Sequence, residues 1–256
     1  MIDTHTHLYA SQFDADRAEM MARAQEAGVE KVFLPNIDSS TIDGMLQLEE
    51  EYPNFCYPMM GLHPTSVKEN YQAELAIVQK YLFERKFVAV GEIGVDLYWD
   101  KTFKEQQIEA FLAQAKWAEE LDIPIIIHAR NSLDILIELV KGIKSPKVRG
   151  IFHCFTGSAV QAKRIIDLGF LLGIGGVLTF KNAKLRDEIK DIPLEMLVLE
   201  TDSPYLTPAP FRGKRNESSY VKYVLEHLAE TRGLAPKIVE KQTTENAEKL
   251  FFGTKS

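Results

Sequence analysis

Cysteine is scarce: Cys56 and Cys154 are the only two in 256 residues, and they form no CxxC pair. That excludes a disulfide framework and a zinc-ribbon pattern, and it suits a reducing cytosol. Basic excess is also missing. Lys and Arg number 30 against 37 Asp and Glu, a formal charge of −7. A protein that coats nucleic acid by bulk charge is thereby excluded, whereas an enzyme with a small basic site is not. Long apolar runs are absent; Ile123 to Ile127 is far too short to span a bilayer. The opening MIDTHTHL has neither a basic n-region nor an apolar h-region, so no signal peptide is expected and the expected location is the cytoplasm. No GxGxxG follows the first apolar run, which weighs against a dinucleotide-binding sheet. No linker, low-complexity tract or long repeat interrupts the chain, so residues 1–256 are expected to form one domain.

What is present is ample core material, with 45% hydrophobic residues, arranged as an alternation. Short apolar runs at 1–3, 29–35, 55–60, 87–91, 124–127, 148–152, 170–174 and 196–199 read as eight strands. Amphipathic stretches separate them, clearest at Lys104 to Leu121, where apolar residues recur with the helical period. Two further helical stretches, near 220–231 and 235–251, close the chain. The strands are continuously apolar, the pattern of a parallel sheet buried on both faces. Eight βα units at this length predict an α/β fold of the TIM (β/α)8 barrel type with a C-terminal helix. An open doubly wound sheet is the alternative.

The polar residues fall in register with this map. His5 and His7 follow strand one, His63 lies beyond strand three, and Glu92 ends strand four. His128 ends strand five, His153 ends strand six, and Asp202 follows strand eight. Only His227, of six histidines, lies elsewhere. In a barrel all strand C-termini meet on one face, where active sites sit. His5 and His7 are two apart and share a direction from an extended backbone. Imidazoles with carboxylates suit two divalent metal ions (Mg, Mn, Zn, Co or Ni). A first ion can take His5, His7 and Asp202, a second His128 and His153, with the two oxygens of Glu92 spanning both. Each residue also has a plainer reading. His63 can cap a turn before Pro64, Glu92 can cap a helix, and a lone strand-end histidine is commonly a hydrogen-bonded structural residue. Joint placement on one face favours the metal centre. Cys154, following His153, is expected to point the opposite way, into packing, and Glu200 to stand behind a ligand.

Seven stretches in order then carry a resemblance over essentially the whole chain. They are DTHTHL (3–8), GLHP (61–64), GEIGVDLYWD (91–100), PIIIHAR (124–130), GIFHCFTG (150–157), LETDSPYLTP (199–208) and FRGKRN (211–216). The chain resembles the TatD family of metal-dependent hydrolases, within the amidohydrolase-like barrels. The resemblance implies a TIM barrel, two divalent metals and phosphodiester hydrolysis, typically of DNA. It implies that Glu92 replaces the carboxylated bridging lysine of many related amidohydrolases. It implies His5, His7, His128, His153 and Asp202 as the other ligands, and His63 as a catalytic histidine near the substrate phosphate. One departure stands out: family members often read N-x-P after RGKR, where this chain has Asn216-Glu217-Ser218. The missing proline is expected to alter that loop.

The expected reaction is in-line attack of an activated water on phosphorus, with Asp202 accepting its proton. Arg130 and Arg212 are candidate phosphate clamps, or else surface ion pairs. Lys181, Lys184, Lys214 and Arg215 are further basic residues expected on the same face. Tyr98, Trp99, Tyr205 and Phe211 either stack on exposed bases or pack beneath the loops. The leading expectation is a metal-dependent deoxyribonuclease acting 3′ to 5′ on single-stranded or frayed DNA, with no membrane and no obligate protein partner. A hydrolase of a small phosphoester, amide or lactone is the second reading. A metal-holding barrel turned binding protein is the third, against which the intact ligand set argues.

Overall fold

In the computed structural model, which describes residues 1–253, the apolar runs become eight parallel strands. They are β1 (Ile2–Asp3), β2 (Lys31–Pro35), β3 (Cys56–Met59), β4 (Val90–Asp96), β5 (Ile125–Arg130), β6 (Gly150–Phe152), β7 (Leu171–Ile174) and β8 (Leu197–Leu199). One ladder runs β1-β2-β3 and another β4-β5-β6-β7-β8. Met60 bridges to Val90 across one seam, and Thr6 to Ser203 across the other. The second seam is tightened by Thr4 N–H donating to Leu199 O at 3.0 Å and His7 N–H to Ser203 O at 2.8 Å. The two ladders thus close into the expected (β/α)8 barrel, and the open-sheet alternative falls.

Helices alternate with the strands: α1 (Arg17–Glu26), α2 (Ile42–Glu51), α3 (Tyr71–Glu84), α4 (Lys104–Leu121), α5 (Leu133–Gly142), α6 (Ala159–Asp167), α7 (Leu185–Ile189) and α8 (Val221–Arg232). The last, α9 (Pro236–Phe252), supplies the C-terminal helix. Among the described residues no helix is long and apolar enough to cross a membrane.

Two apolar layers hold the fold. The larger lies between strands and helices. The smaller fills the barrel, with Ile2, Phe33, Met59, Ile126, Ile151 and Val198 packed against Ala247 and Phe251 of α9. Asn246 of α9 donates to the carbonyls of Leu194 and Leu197 at 2.8 and 2.7 Å, where β8 begins. The helix therefore plugs the end of the barrel opposite the strand C-termini. Side chains alternate along a strand. Two residues beyond Ile126 and Ile151 in this apolar layer come His128 and His153, and two beyond Val198 comes Glu200. The same parity that packs the barrel aims these three polar residues at its mouth.

Strand four differs from the sequence expectation. The run Phe87 to Gly91 read as the strand, but the ladder starts at Val90 and continues to Asp96, with a register shift between Val90 and Ile93. Glu92 therefore sits inside β4 rather than at its end, and His128 inside β5. Gly, Glu and Asp are poor strand formers on their own. Pairing with His128, Ala129 and Arg130 imposes the extended form on Gly94, Val95 and Asp96. Gly94 makes this approach possible. Its φ is +153°, and a Cβ there would lie 2.0 Å from His128 O.

The loop after β8 lacks the family proline, and side chains secure it instead. Asn216 Nδ2 donates to Thr201 O at 2.8 Å and Tyr205 O at 2.6 Å. Arg215 donates to both oxygens of Asp16 at 2.6 and 2.8 Å. Arg23 ties Asp16 (2.9 Å) to Glu217 (2.6 Å). Asp16 spends its carboxylate on these arginines and makes no capping bond; α1 starts at Arg17 rather than near Asp14, after a 3-10 turn at Ser11–Phe13. Hydrogen bonds from Arg215 and Arg23 hold the Asp16 carboxyl well below the usual range. A carboxyl depressed in the folded state stabilises above its unfolded pKa and loses that contribution as pH falls toward the folded one. Asp16→Asn is accordingly expected to speed amide exchange across residues 207–217 at pH 7. The difference from wild type should shrink as pH falls below about 4. Identical exchange at pH 7 would remove the clamp role.

Candidate metal centre

Barrel closure brings the polar layer into one cluster with Glu92 at its hub. One oxygen, Oε1, lies 2.6 Å from His128 Nδ1, 2.9 Å from His153 Nε2 and 3.5 Å from His63 Nε2. The other, Oε2, lies 3.1 Å from His5 Nε2 and 3.8 Å from His7 Nε2. Asp202 Oδ1 approaches the same two imidazoles at 3.8 and 3.6 Å. The His5 and His153 rings stack at 3.7 Å. The structure thus brings together His5, His7, His63, Glu92, His128, His153 and Asp202, as the strand map requires.

Partners behind the imidazoles set which nitrogen is free. The Tyr9 hydroxyl donates to Pro35 O, so its oxygen accepts from His7 Nδ1–H at 2.9 Å. That leaves the His7 Nε2 lone pair facing the cluster. Glu200 Oε1 accepts from His153 Nδ1–H at 3.2 Å and from Cys154 N–H at 2.6 Å, which turns Nε2 toward Glu92. Asp96 Oδ2 holds His128 through Nε2 at 2.9 Å and turns Nδ1 toward Glu92. His63 is the opposite case. Its Nδ1 accepts from Thr65 N–H at 3.1 Å, so neutral His63 carries its proton on Nε2, toward the cleft. His63 is therefore both the turn cap before Pro64 and an N–H donor toward the cleft, while His5 and His153 turn Nε2 and His128 turns Nδ1 toward Glu92.

Electrostatics follow from this packing. Burial opposes ionisation of Glu92, but His153, His5, His63 and His128 outweigh it and hold the carboxyl well below its usual range. Burial is likewise overcome at Asp202, by a His7 hydrogen bond and the charges of His153 and His5. His153 is buried, yet Glu92 and Glu200 raise its pKa well above the usual value. His5 is lowered, by burial and by His153.

The donor set fits divalent cations. Three groups, His5/His153/Asp202, His5/His7/Glu92 and His63/Glu92/His128, each bring their ligand atoms within 4.8 Å of one another. Glu92 belongs to two of them. Buried His5 Nδ1 and Glu200 Oε2 have no hydrogen-bond partner. Ionised carboxylates among imidazoles are the ligands that Zn, Mn, Co, Ni and, with more oxygen, Mg accept.

Other expectations are redrawn. Cys154 does not turn into packing. Its φ of +47° bends the chain after β6, and it lines the cleft half-buried. Arg130 lines the cleft and lies over the Tyr98 ring at 3.9 Å. Arg212 does not reach the cleft lining: its guanidinium sits 3.7 Å over Phe180 and donates to Thr207 O at 2.9 Å. Arg215 is spent on Asp16, and Lys214 lies 5.7 Å from the Phe211 ring. Phe211 stacks on Tyr220 at 4.5 Å and so packs beneath the loop. Sequence reasoning missed Tyr9 and Asp96. Asp96 was visible as an every-other-residue extension of Glu92 and Gly94, whereas Tyr9 reaches His7 through the turn after it.

Comparison with known proteins agrees with this construction. The family described as TatD related DNase matches residues 2–252. A Bacillus subtilis (strain 168) protein named uncharacterized metal-dependent hydrolase YabD is 43% identical over 252 residues, covering 98% of both chains. A Rahnella protein named 3′-5′ ssDNA/RNA exonuclease TatD is 32% identical over 258 residues, again covering 98% of both. The crystal structure of YJJV, a TatD homolog from Escherichia coli K12, superposes with a TM-score of 0.92 at 35% identity, covering 98% of this chain and 97% of that one. With the motifs in order, the barrel closed and the histidine–carboxylate cluster at its mouth, this chain belongs to the TatD-related DNase family of metal-dependent hydrolases.

Proposed function

We propose that this protein is a phosphodiesterase that removes nucleotides from the 3′ ends of single-stranded or frayed DNA. Two divalent cations would be held by His5, His7, Glu92, His128, His153 and Asp202. The observation that carries the reading is Glu92, whose two oxygens face different sets of imidazoles. That is the arrangement a carboxylate needs to span two ions. Bound there, the cations supply Lewis acidity and the positive charge that a phosphodiester in transit requires.

The chain's own groups do the rest. Asp202 is held ionised and can accept a proton from the attacking water. His63 presents Nε2–H to a non-bridging phosphoryl oxygen or to the leaving oxygen. Arg130, on the cleft lining, steadies a neighbouring phosphate. The printed activity of the Rahnella relative supports DNA or RNA as the substrate class. A cytoplasmic location fits a chain without a membrane-crossing helix among its described residues.

The test uses metal-stripped protein reloaded with Mg, Mn, Zn, Co or Ni. Substrates are 5′-labelled single-stranded DNA, blunt duplex, p-nitrophenyl phosphate and a lactone. The expected result is a ladder shortening from the 3′ end of the single strand, dependent on added metal. Robust metal-dependent turnover of the lactone or the monoester with intact DNA would replace the nuclease reading with the second one.

A further inference from the structure

The cleft over the metal centre is about 540 Å³, and its lining holds two large aromatic side chains that the cluster does not use, Trp99 and Tyr205. Trp99 lies on the loop after β4 and Tyr205 on the loop after β8. In a closed ring of eight strands, β4 and β8 are diametrically opposed. The two rings therefore face the same cleft from opposite walls, with Glu92 between them on the floor. Both are left open to solvent, Trp99 at 70% and Tyr205 at 48% exposure. Each exposed ring is also braced. Tyr98 meets Trp99 at 4.8 Å and is itself covered by Arg130 at 3.9 Å, while Tyr205 stands 6.1 Å from the His7 ring.

Cations are sparse in the same place. Among the described residues Arg130 is the one Lys or Arg in the cleft lining. Arg212 and Arg215 of the neighbouring loop are engaged with Phe180 and Asp16. A strand seated here meets two π-faces and few fixed positive charges beyond the metal centre.

We propose that Trp99 and Tyr205 are paired stacking platforms that take one unpaired nucleobase each, on either side of the phosphate over Glu92. This rests on the phosphodiesterase reading above and adds the origin of its strand selectivity. A base held in a duplex already stacks and pairs on both sides, so only a splayed or single-stranded end can offer a free face to each ring. Because stacking rather than backbone charge supplies the grip, binding depends weakly on salt. The association constant of a single strand falls with an exponent of about 0.7 per phosphate neutralised.

The experiment measures Kd of a fluorescent, phosphorothioate-capped oligo(dT) on metal-loaded protein by anisotropy, from 50 to 300 mM salt, beside cleavage of the uncapped strand and of blunt duplex. Wild type is expected to show a salt exponent of about two or less. Trp99→Ala and Tyr205→Ala are each expected to weaken binding about tenfold or more and to narrow the single-strand to duplex cleavage ratio. Trp99→Phe and Tyr205→Phe, which keep a π-face, should recover most of the affinity, a rescue that a merely structural role would not give. Wild type that binds and cleaves while both alanine variants match its Kd would overturn the proposal alone, as would a salt exponent of about four or more. Wild type that neither binds nor cleaves the strand under any metal overturns the functional reading and this inference with it.

Discussion

Glu92→Gln is expected to lower phosphodiester hydrolysis by about a thousandfold or more and to reduce bound metal. The substitution keeps shape and burial but removes the charge. It also replaces one oxygen by an amide nitrogen, which has no lone pair to offer a cation. In the native protein each oxygen of Glu92 serves different partners, His128 and His153 on one side and His5 on the other. Either amide rotamer would therefore remove one half of the proposed span, and neither restores the charge that balances the imidazoles. Metal content by elemental analysis and kcat on single-stranded DNA read the two effects separately. A variant with wild-type metal content and full activity would refute the spanning role, and an unchanged circular dichroism spectrum excludes simple misfolding.

The largest loss of stability is expected from Phe33→Ala. Phe33 is fully buried inside the barrel, stacked on Phe251 of α9 at 3.9 Å and on Tyr57 at 5.3 Å. Its truncation removes the ring on which the helical plug rests and leaves a void that the eight strands cannot close by small shifts. Such a cavity costs about 3–5 kcal/mol. For a protein of this size that corresponds to a fall in Tm of roughly 6–20 °C. The site lies at the other end of the barrel, so hydrolysis at 25 °C should persist in whatever fraction stays folded. Thermal scans of the metal-free protein provide the measurement. A shift under about 2 °C would mean that α9 does not hold the barrel end through this contact.

Much of the site could be read along the chain because its geometry is periodic. Barrel strands are short, apolar and separated by helices, and their residues alternate in direction, so a histidine two positions beyond an interior isoleucine must point to the mouth. His128 and His153 are placed by ending apolar strands, and His5 and His7 are paired by this alternation. The same rule applied one step further along strand four supplies Asp96, while Tyr9 lies in a turn outside its reach. Strand four was misplaced because its C-terminal half is built from Gly, Glu and Asp, which carry no apolar signal. Its extended form comes from the neighbouring β5.

Other assignments depended on contacts that no local pattern records. Arg212 sits in a basic stretch, but Phe180, far earlier in the chain, supplies the face it covers. Phe211 was one of four loop aromatics until Tyr220 took it into packing. Cys154 reads as a packing residue only if the strand stays extended, and the positive φ at that residue ends the alternation.

By itself, the sequence determined the architecture and the kinds of side chain at the barrel mouth: eight buried strands in parallel order, with histidines and carboxylates in or just beyond their C-terminal halves. These follow from hydrophobic periodicity and residue chemistry, which are properties of short segments. Tertiary structure alone decided that His5 and Asp202 meet across the β1–β8 seam, and that Glu92 stands between two imidazole sets. It also decided which ring nitrogens are free. Thr65 leaves His63 a donor, while Tyr9 and Glu200 hold Nδ1 of His7 and His153 and turn Nε2 of each toward the centre. A tautomer is chosen by the partner on the far side of the ring. For His153 that partner, Glu200, lies just beyond a distant strand that only the closed barrel brings near.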